Sequence, residues 1–180
     1  MHKKTSFLIK LLLFLILVIL VYFIWNAAQN VDLNTISQTE ALKQMNSLQE
    51  KYSITVAYST NQGKMNDYLT ELSSLSGKTT GSAQKIIEAE LSSALTFYHL
   101  TKTISLFQTI DYTNEKCASQ LIVEVRKQLK LAEDNSLLAE EKINALNEQE
   151  KQSLRLNLLE TIQTYQETIA QLTSYFEEKC

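Results

Sequence analysis

Two groups of residues have types and spacing that could do chemistry. The first lies in SLSGKTTGS, Ser74 to Ser82, where Gly77-Lys78-Thr79 matches the tail of a Walker A phosphate loop. That loop needs a further glycine five residues earlier, after a strand and before a helix. Position 72 is leucine, and Leu72 belongs to a helical apolar stripe. The stretch therefore reads as a turn between helices. Gly77 and Gly81 give it backbone freedom, and Ser82 is expected to cap the helix that follows.

The second group centres on His99, the only histidine after the first residues of the chain. It lies in Phe97-Tyr98-His99-Leu100, inside a helical pattern, with no Ser-His-Asp set, HExxH or glycine-rich elbow around it. Carboxylate di-metal bundles need Glu-x-x-His on two helices, and that motif is missing. Glu140-Glu141 and Glu177-Glu178 read as solvated helix faces. Glu88 and Glu90 point in different directions on a helix, so they are not expected to share a proton. The eight tyrosines fall mostly at seam positions and read as core. We expect no catalysis and no catalytic, metal or cofactor-binding residues.

The elements that hold these residues follow from composition and spacing. The chain has 180 residues, no proline and three glycines, which favours long uninterrupted helices. Its opening, MHKKTSFLIKLLLFLILVILVYFIWNAAQN, is apolar from Leu11 to Trp25. Phe7 to Ala28 carries one charge, Lys10, and would make a helix of roughly 33 Å, enough for a bilayer core. Lys10 can extend to the headgroups, and Tyr22 and Trp25 fall where interfacial aromatics sit. Cleavage after Ala27 or Ala28 would put Trp25 or Asn26 at the position that a signal peptidase wants small. A retained signal-anchor is expected over residues 1–30. Lys3, Lys4 and Lys10 precede the span and Asp32 follows it, which puts the N-terminus in the cytoplasm and residues 31–180 outside.

Of 17 Lys+Arg, the three before the span leave 14 outside against 20 Asp+Glu, so the outer part carries −6. An acidic surface without a basic patch argues against nucleic acid and against charge-driven docking on anionic lipid.

Beyond Asn30 the apolar residues recur at steps of three and four. Ala118, Ile122, Val125, Leu129, Ala132, Ser136, Ala139, Ile143 and Leu146 make one seam, running through Asp134-Asn135-Ser136 without a break. Leu158, Ile162, Tyr165, Ile169, Leu172 and Phe176 make another, after a turn near Leu146 to Glu150 where Asn147 and Glu150 resemble a capping box. A first outer helix is read from Leu42, Met45, Leu48, Tyr52 and Val56 on to Met65, Tyr68, Leu69, Leu72 and Leu75. Ser37 and Glu40 would cap it, and Thr60-Asn61-Gln62-Gly63 is a place where it could kink or split. The strand-like SITVAY, Ser53 to Tyr58, is read as helix because its flanks keep helical spacing. A second segment runs from Ser82 through Ile87, Leu91, Ala94 and Tyr98, its apolar face then moving to Phe97, Leu100, Ile104 and Phe107.

The expected architecture is all-α: one transmembrane helix, then an antiparallel up-down-up-down four-helix bundle. Its helices cover about 37–75, 82–111, 114–146 and 150–179 and pack with the shallow crossing of coiled coils. With a turn at residue 148, Cys117 lies 31 residues before it and Cys180 lies 32 after it, at one height of a hairpin. Outside the cytoplasm that geometry predicts a Cys117–Cys180 disulfide, stabilising by about 4 kcal/mol at most. Free thiols, or intermolecular pairing in a homo-oligomer, are the alternatives.

Function then divides three ways. The first is a structural or interaction protein that meets another envelope or surface protein. The second is a ligand-binding or sensing module acting with a partner, with Ser59, Thr101, Ser105, Gln108 and Ser136 lining a polar pocket between helices. The third is a phage envelope-fusion role. The layout of N-terminal anchor, helical stalk and late cysteines is similar to that of inner-membrane spanins, in overall arrangement only.

Overall fold

The computed structural model describes residues 36–54, 57–110 and 120–179. The chain divides into two units, Met1–Thr35 and Ile36–Cys180, and the described residues all belong to the second. The anchor and its flanking Lys3, Lys4, Lys10, Tyr22 and Trp25 lie outside the described residues, as do Cys117 and Cys180. Among the described residues no helix is long and apolar enough to cross a membrane.

The second unit is a helical bundle. Its elements are α1 (Gln38–Lys51), α2 (Gln62–Gly77), α3 (Gly81–Phe107), α4 (Gln120–Asn144), the single turn α5 (Glu148–Lys151) and α6 (Leu158–Lys179). Cross-helix pairs give the directions. His99 meets Gln128 while Glu88 meets Lys142, so numbers fall along α4 as they rise along α3 and the two run antiparallel. Gln166 meets Glu140 while Phe176 meets Arg126, so α6 is antiparallel to α4. Tyr52 meets Tyr68 and Tyr68 meets Glu90, which folds α1 on α2 and α2 on α3.

α3 is the hub, packed against α1, α2, α4, α5 and α6, and most extensively against α4. Small residues make this close packing possible. Ala89, Ser93, Ala94, Thr96 and Thr103 of α3 are buried, as are Ala132, Ser136 and Ala139 of α4. The buried hydroxyls cost little, because each donates to a carbonyl of its own helix: Ser93 to Ala89 at 2.9 Å, Thr96 to Ser92 at 3.0 Å, Thr103 to His99 at 2.9 Å. The core has two parts. One gathers Met45, Ile54, Tyr58, Met65, Tyr68, Leu72, Ile87, Ile143 and Ile162 around α1 and α2. The other gathers Leu100, Ile122, Val125, Leu129, Ile169 and Phe176, where among the described residues the helices that contribute are α3, α4 and α6.

α4 runs unbroken through Asp134-Asn135-Ser136, and every described residue of its expected seam is buried. The outer two rods differ from expectation. The helix expected over 37–75 is two helices of 14 and 16 residues folded back on one another. The reversal is a Schellman motif: Ser53 N–H donates to Glu50 O at 3.0 Å and Ile54 N–H to Gln49 O at 2.8 Å. Ser53 holds the left-handed conformation (φ 57) that glycine usually takes there, and Ile54 beyond it is fully buried. SITVAY is therefore not helical at Ser53, Ile54, Ala57 and Tyr58. Asn61 then caps α2, its Oδ1 accepting from Lys64 N–H at 3.1 Å. The rod expected over 150–179 is interrupted too. The Asn147–Glu150 capping box forms, but the helix it opens stops after one turn, and α6 starts at Leu158 behind Asn157 (φ 58).

The GKTT stretch is the α2–α3 turn, as its spacing implies. Thr79 is buried, its hydroxyl donating to Leu75 O at 2.7 Å, and Lys78 O accepts from Ile36 N–H at 3.0 Å. Gly81 has φ +70. Ser82 does not cap α3, because Thr80 occupies that position without a side-chain bond; the Ser82 hydroxyl instead donates to Glu150.

Candidate functional site

The polar groups that the fold brings together are not those picked from the seams. Thr101 and Ser105 donate to carbonyls of their own helix, Ser136 donates to Glu133 O, Ser59 Oγ accepts from Asn61 N–H, and Gln108 is exposed. They do not converge, because a helical hydroxyl finds its nearest acceptor one turn back.

Instead, a charged cluster lies in the upper core. Glu90 follows Ile86 and Ile87 by one turn on the most buried face of α3, so the helix carries it inward, where it is 0% exposed. Arg155 reaches it from the loop between α5 and α6, with its Nε 3.0 Å from Oε1 and 3.2 Å from Oε2 of Glu90. Tyr58, from the reversal after α1, donates to Oε1 at 3.2 Å, and Tyr68 of α2 donates to the same oxygen at 3.1 Å. The guanidinium carbon sits 3.8 Å from the centroid of the Tyr58 ring. Four chain segments therefore meet on one carboxylate.

Burial sets the acidities here. It pushes the Tyr58 and Tyr68 phenols well above their ordinary value, with the Glu90 charge acting in the same sense. Tyr165, beside Phe97 in the same region, is pushed up to about 12, again mainly by burial. Burial works against the Arg155 charge, but with the phenols protonated the Glu90 carboxylate beside it holds the guanidinium charged, above its ordinary pKa. The phenols stay protonated and can only donate to Glu90. A cluster so locked is a structural joint, because neither phenol can serve as a base near neutral pH.

One edge of the joint is incomplete. Arg155 Nη2 is buried without a hydrogen-bond partner, the Gln49 side chain lies against the Tyr68 hydroxyl, and Gln49 and Arg155 both line a cavity of about 380 Å³ between α1 and the α5–α6 loop.

A second feature lies at the surface between α4 and α6. Glu133, Leu137 and Glu140 of α4 face Gln166, Ile169, Ala170 and Glu177 of α6 across a groove of about 530 Å³. It continues into a recess of about 210 Å³ beside Arg126 and Phe176. Leu137 is 55% exposed there. Three carboxylates, Glu133, Glu140 and Glu177, stand around this apolar floor.

His99 is half-buried on α3, its Nδ1 2.7 Å from Gln128 Oε1, and burial holds its imidazole below the ordinary pKa. Glu88 pairs with Lys142 at 2.6 Å, well apart in role from Glu90. Among the described residues no group of His, Cys, Asp and Glu is arranged to hold a metal ion.

Sequence reasoning missed the Glu90–Arg155 pair. A signal existed in Glu90, an acidic residue between Ile86-Ile87 and Ala94 on an apolar face, but its partner lies 65 residues away and no spacing rule reaches it. Compared with known proteins, the chain matches no family model, no curated protein and no solved structure.

Proposed function

We propose that this is a single-pass membrane protein that displays an extracytoplasmic helical interaction module rather than an enzyme. Residues 1–30 anchor it with the N-terminus in the cytoplasm, and a Cys117–Cys180 disulfide pins the chain end at the membrane-proximal part of the module. The partner is another envelope protein. The observation that carries this reading is the α4–α6 groove, with exposed Leu137 on its floor and Glu133, Glu140 and Glu177 on its rim. An apolar floor with an acidic rim suits a basic amphipathic segment, whose apolar face would cover Leu137 while its cations meet the carboxylates. The outer charge of −6, from 14 Lys+Arg and 20 Asp+Glu, works in the same direction.

The test is charge reversal in the full-length membrane-bound chain. Affinity purification is expected to bring down an envelope protein bearing a basic amphipathic segment. A Glu133→Lys, Glu140→Lys, Glu177→Lys variant of unchanged melting temperature should lose it. A partner held equally by the variant would overturn the proposal.

A further inference from the structure

We propose that two copies of this chain pair through the outward face of α4, antiparallel about a two-fold axis. This face is distinct from the α4–α6 groove, and the pairing stands whether or not that groove takes a partner. Among the described residues α4 packs mainly against α3 and α6. A third side of the helix stays open, and it carries Val123, Lys127, Asp134 and Leu138 within about 60° of one another on the helical wheel. Val123 is 57% exposed and Leu138 41%, and Lys127 and Asp134 are exposed with them. Among the described residues Lys127 is in no ion pair.

The order of these residues selects the occupant. Val123 and Lys127 are four residues apart, and so are Asp134 and Leu138. Both Val123–Leu138 and Lys127–Asp134 are centred between Lys130 and Leu131. The face therefore reads apolar, cation, anion, apolar, and it complements its own reverse. A second α4 laid antiparallel about that centre sets Val123 against the second copy's Leu138, and Lys127 against its Asp134. The two-fold axis makes each contact occur twice. Parallel pairing in register would set Lys127 on Lys127 and Asp134 on Asp134. Sliding the antiparallel copy by one turn would set Lys127 on Leu138 or on Lys130. One register thus satisfies the apolar and the charged contacts together. Asp134 holds Lys130 of its own helix at 3.0 Å through Oδ1, which leaves Oδ2 for the incoming cation. The contact spans about 22 Å of helix, which places it at the weak end of specific interfaces. Glu133, Leu137 and Glu140 lie about 100° round the helix from this stripe, so the pair keeps both grooves open.

The test is sedimentation equilibrium on the full chain in detergent, with reductant present so that Cys117 and Cys180 cannot link copies. The expected result is a reversible monomer–dimer equilibrium. Lys127→Asp alone, or Asp134→Lys alone, should weaken it by about tenfold or more, because each opposes like charges twice. The double variant Lys127→Asp, Asp134→Lys should dimerise as the natural chain does. An equimolar mixture of the two single variants should form mixed dimers, since opposite charges then meet at both contacts. That recovery separates a lost contact from a damaged fold, and unchanged melting temperatures of the single variants would show the same. A chain that stays monomeric at millimolar concentration would overturn the proposal. So would a dimer that ignores the single substitutions, or a loss that neither the double variant nor the mixture restores.

Discussion

Replacing Arg155 by methionine gives the sharpest test of the buried joint. The substitution removes a guanidinium whose Nε lies 3.0 Å from Glu90 Oε1, and whose carbon lies 3.8 Å from the Tyr58 ring centroid. Glu90 would then be fully buried with only the Tyr58 and Tyr68 hydroxyls donating to it. Breaking one side of a buried ion pair costs about 3–5 kcal/mol. The desolvated cation–π contact, about 2 kcal/mol, is part of that figure and not an addition to it. For a domain of this size the loss corresponds to a fall of roughly 10–15 °C in melting temperature. Urea unfolding followed by circular dichroism should show the midpoint fall with the slope unchanged. The double variant Glu90→Leu, Arg155→Met should recover most of the loss, because apolar replacement of the whole pair leaves no uncompensated charge. A single variant that loses less than about 1 kcal/mol would refute the reasoning, as would a double variant as unstable as the two singles combined.

Other expectations follow from the turns and from pH. Ser53→Gly relieves a left-handed residue costing about 1–2 kcal/mol, against about 0.5–1 for glycine's extra chain entropy, so urea unfolding should show a gain of up to about 1.5 kcal/mol. Gly81→Ala strains a φ of +70 and brings a Cβ within 2.6 Å of Gln38 Nε2, so it should destabilise by about 1–2 kcal/mol by the same assay. His99 has its folded pKa held below 6.5 by burial, so the unfolded chain takes up the proton first on acidification. The stability this residue lends is present above about pH 6.5 and is lost as pH falls from there through the folded value; His99→Gln should remove that slope in melting temperature against pH. The proposed Cys117–Cys180 disulfide predicts a monomer whose gel mobility falls on reduction, whereas a dimer band that collapses on reduction would contradict it.

How much of this was legible in the sequence depends on how local the cause was. Over the described residues the α4 seam was legible, because Ile122 through Ile143 bury one face of one helix, and a period of three and four reports that directly. The reversal after Lys51 was half-written. Ile54, with Thr55 and Val56 after it, is a β-branched run, but the helix stop itself used serine where glycine would have announced it. Ser82 satisfied every local rule for a cap, yet Glu150 across the fold claimed its hydroxyl. The acidic groove needed α4 and α6 placed side by side before Leu137 and Ala170 could be seen to share a floor.

The proposal that the α4–α6 groove receives a partner is tested most directly by placing a photo-activated cross-linker at Leu137 in the full-length chain within its own membrane, with exposed Ser73 on α2 as control. Cross-linking to an envelope protein from Leu137, absent from Ser73 and lost on charge reversal of Glu133, Glu140 and Glu177, is the predicted result. Products confined to lipid or solvent at Leu137, or the same adduct at both positions, would contradict it.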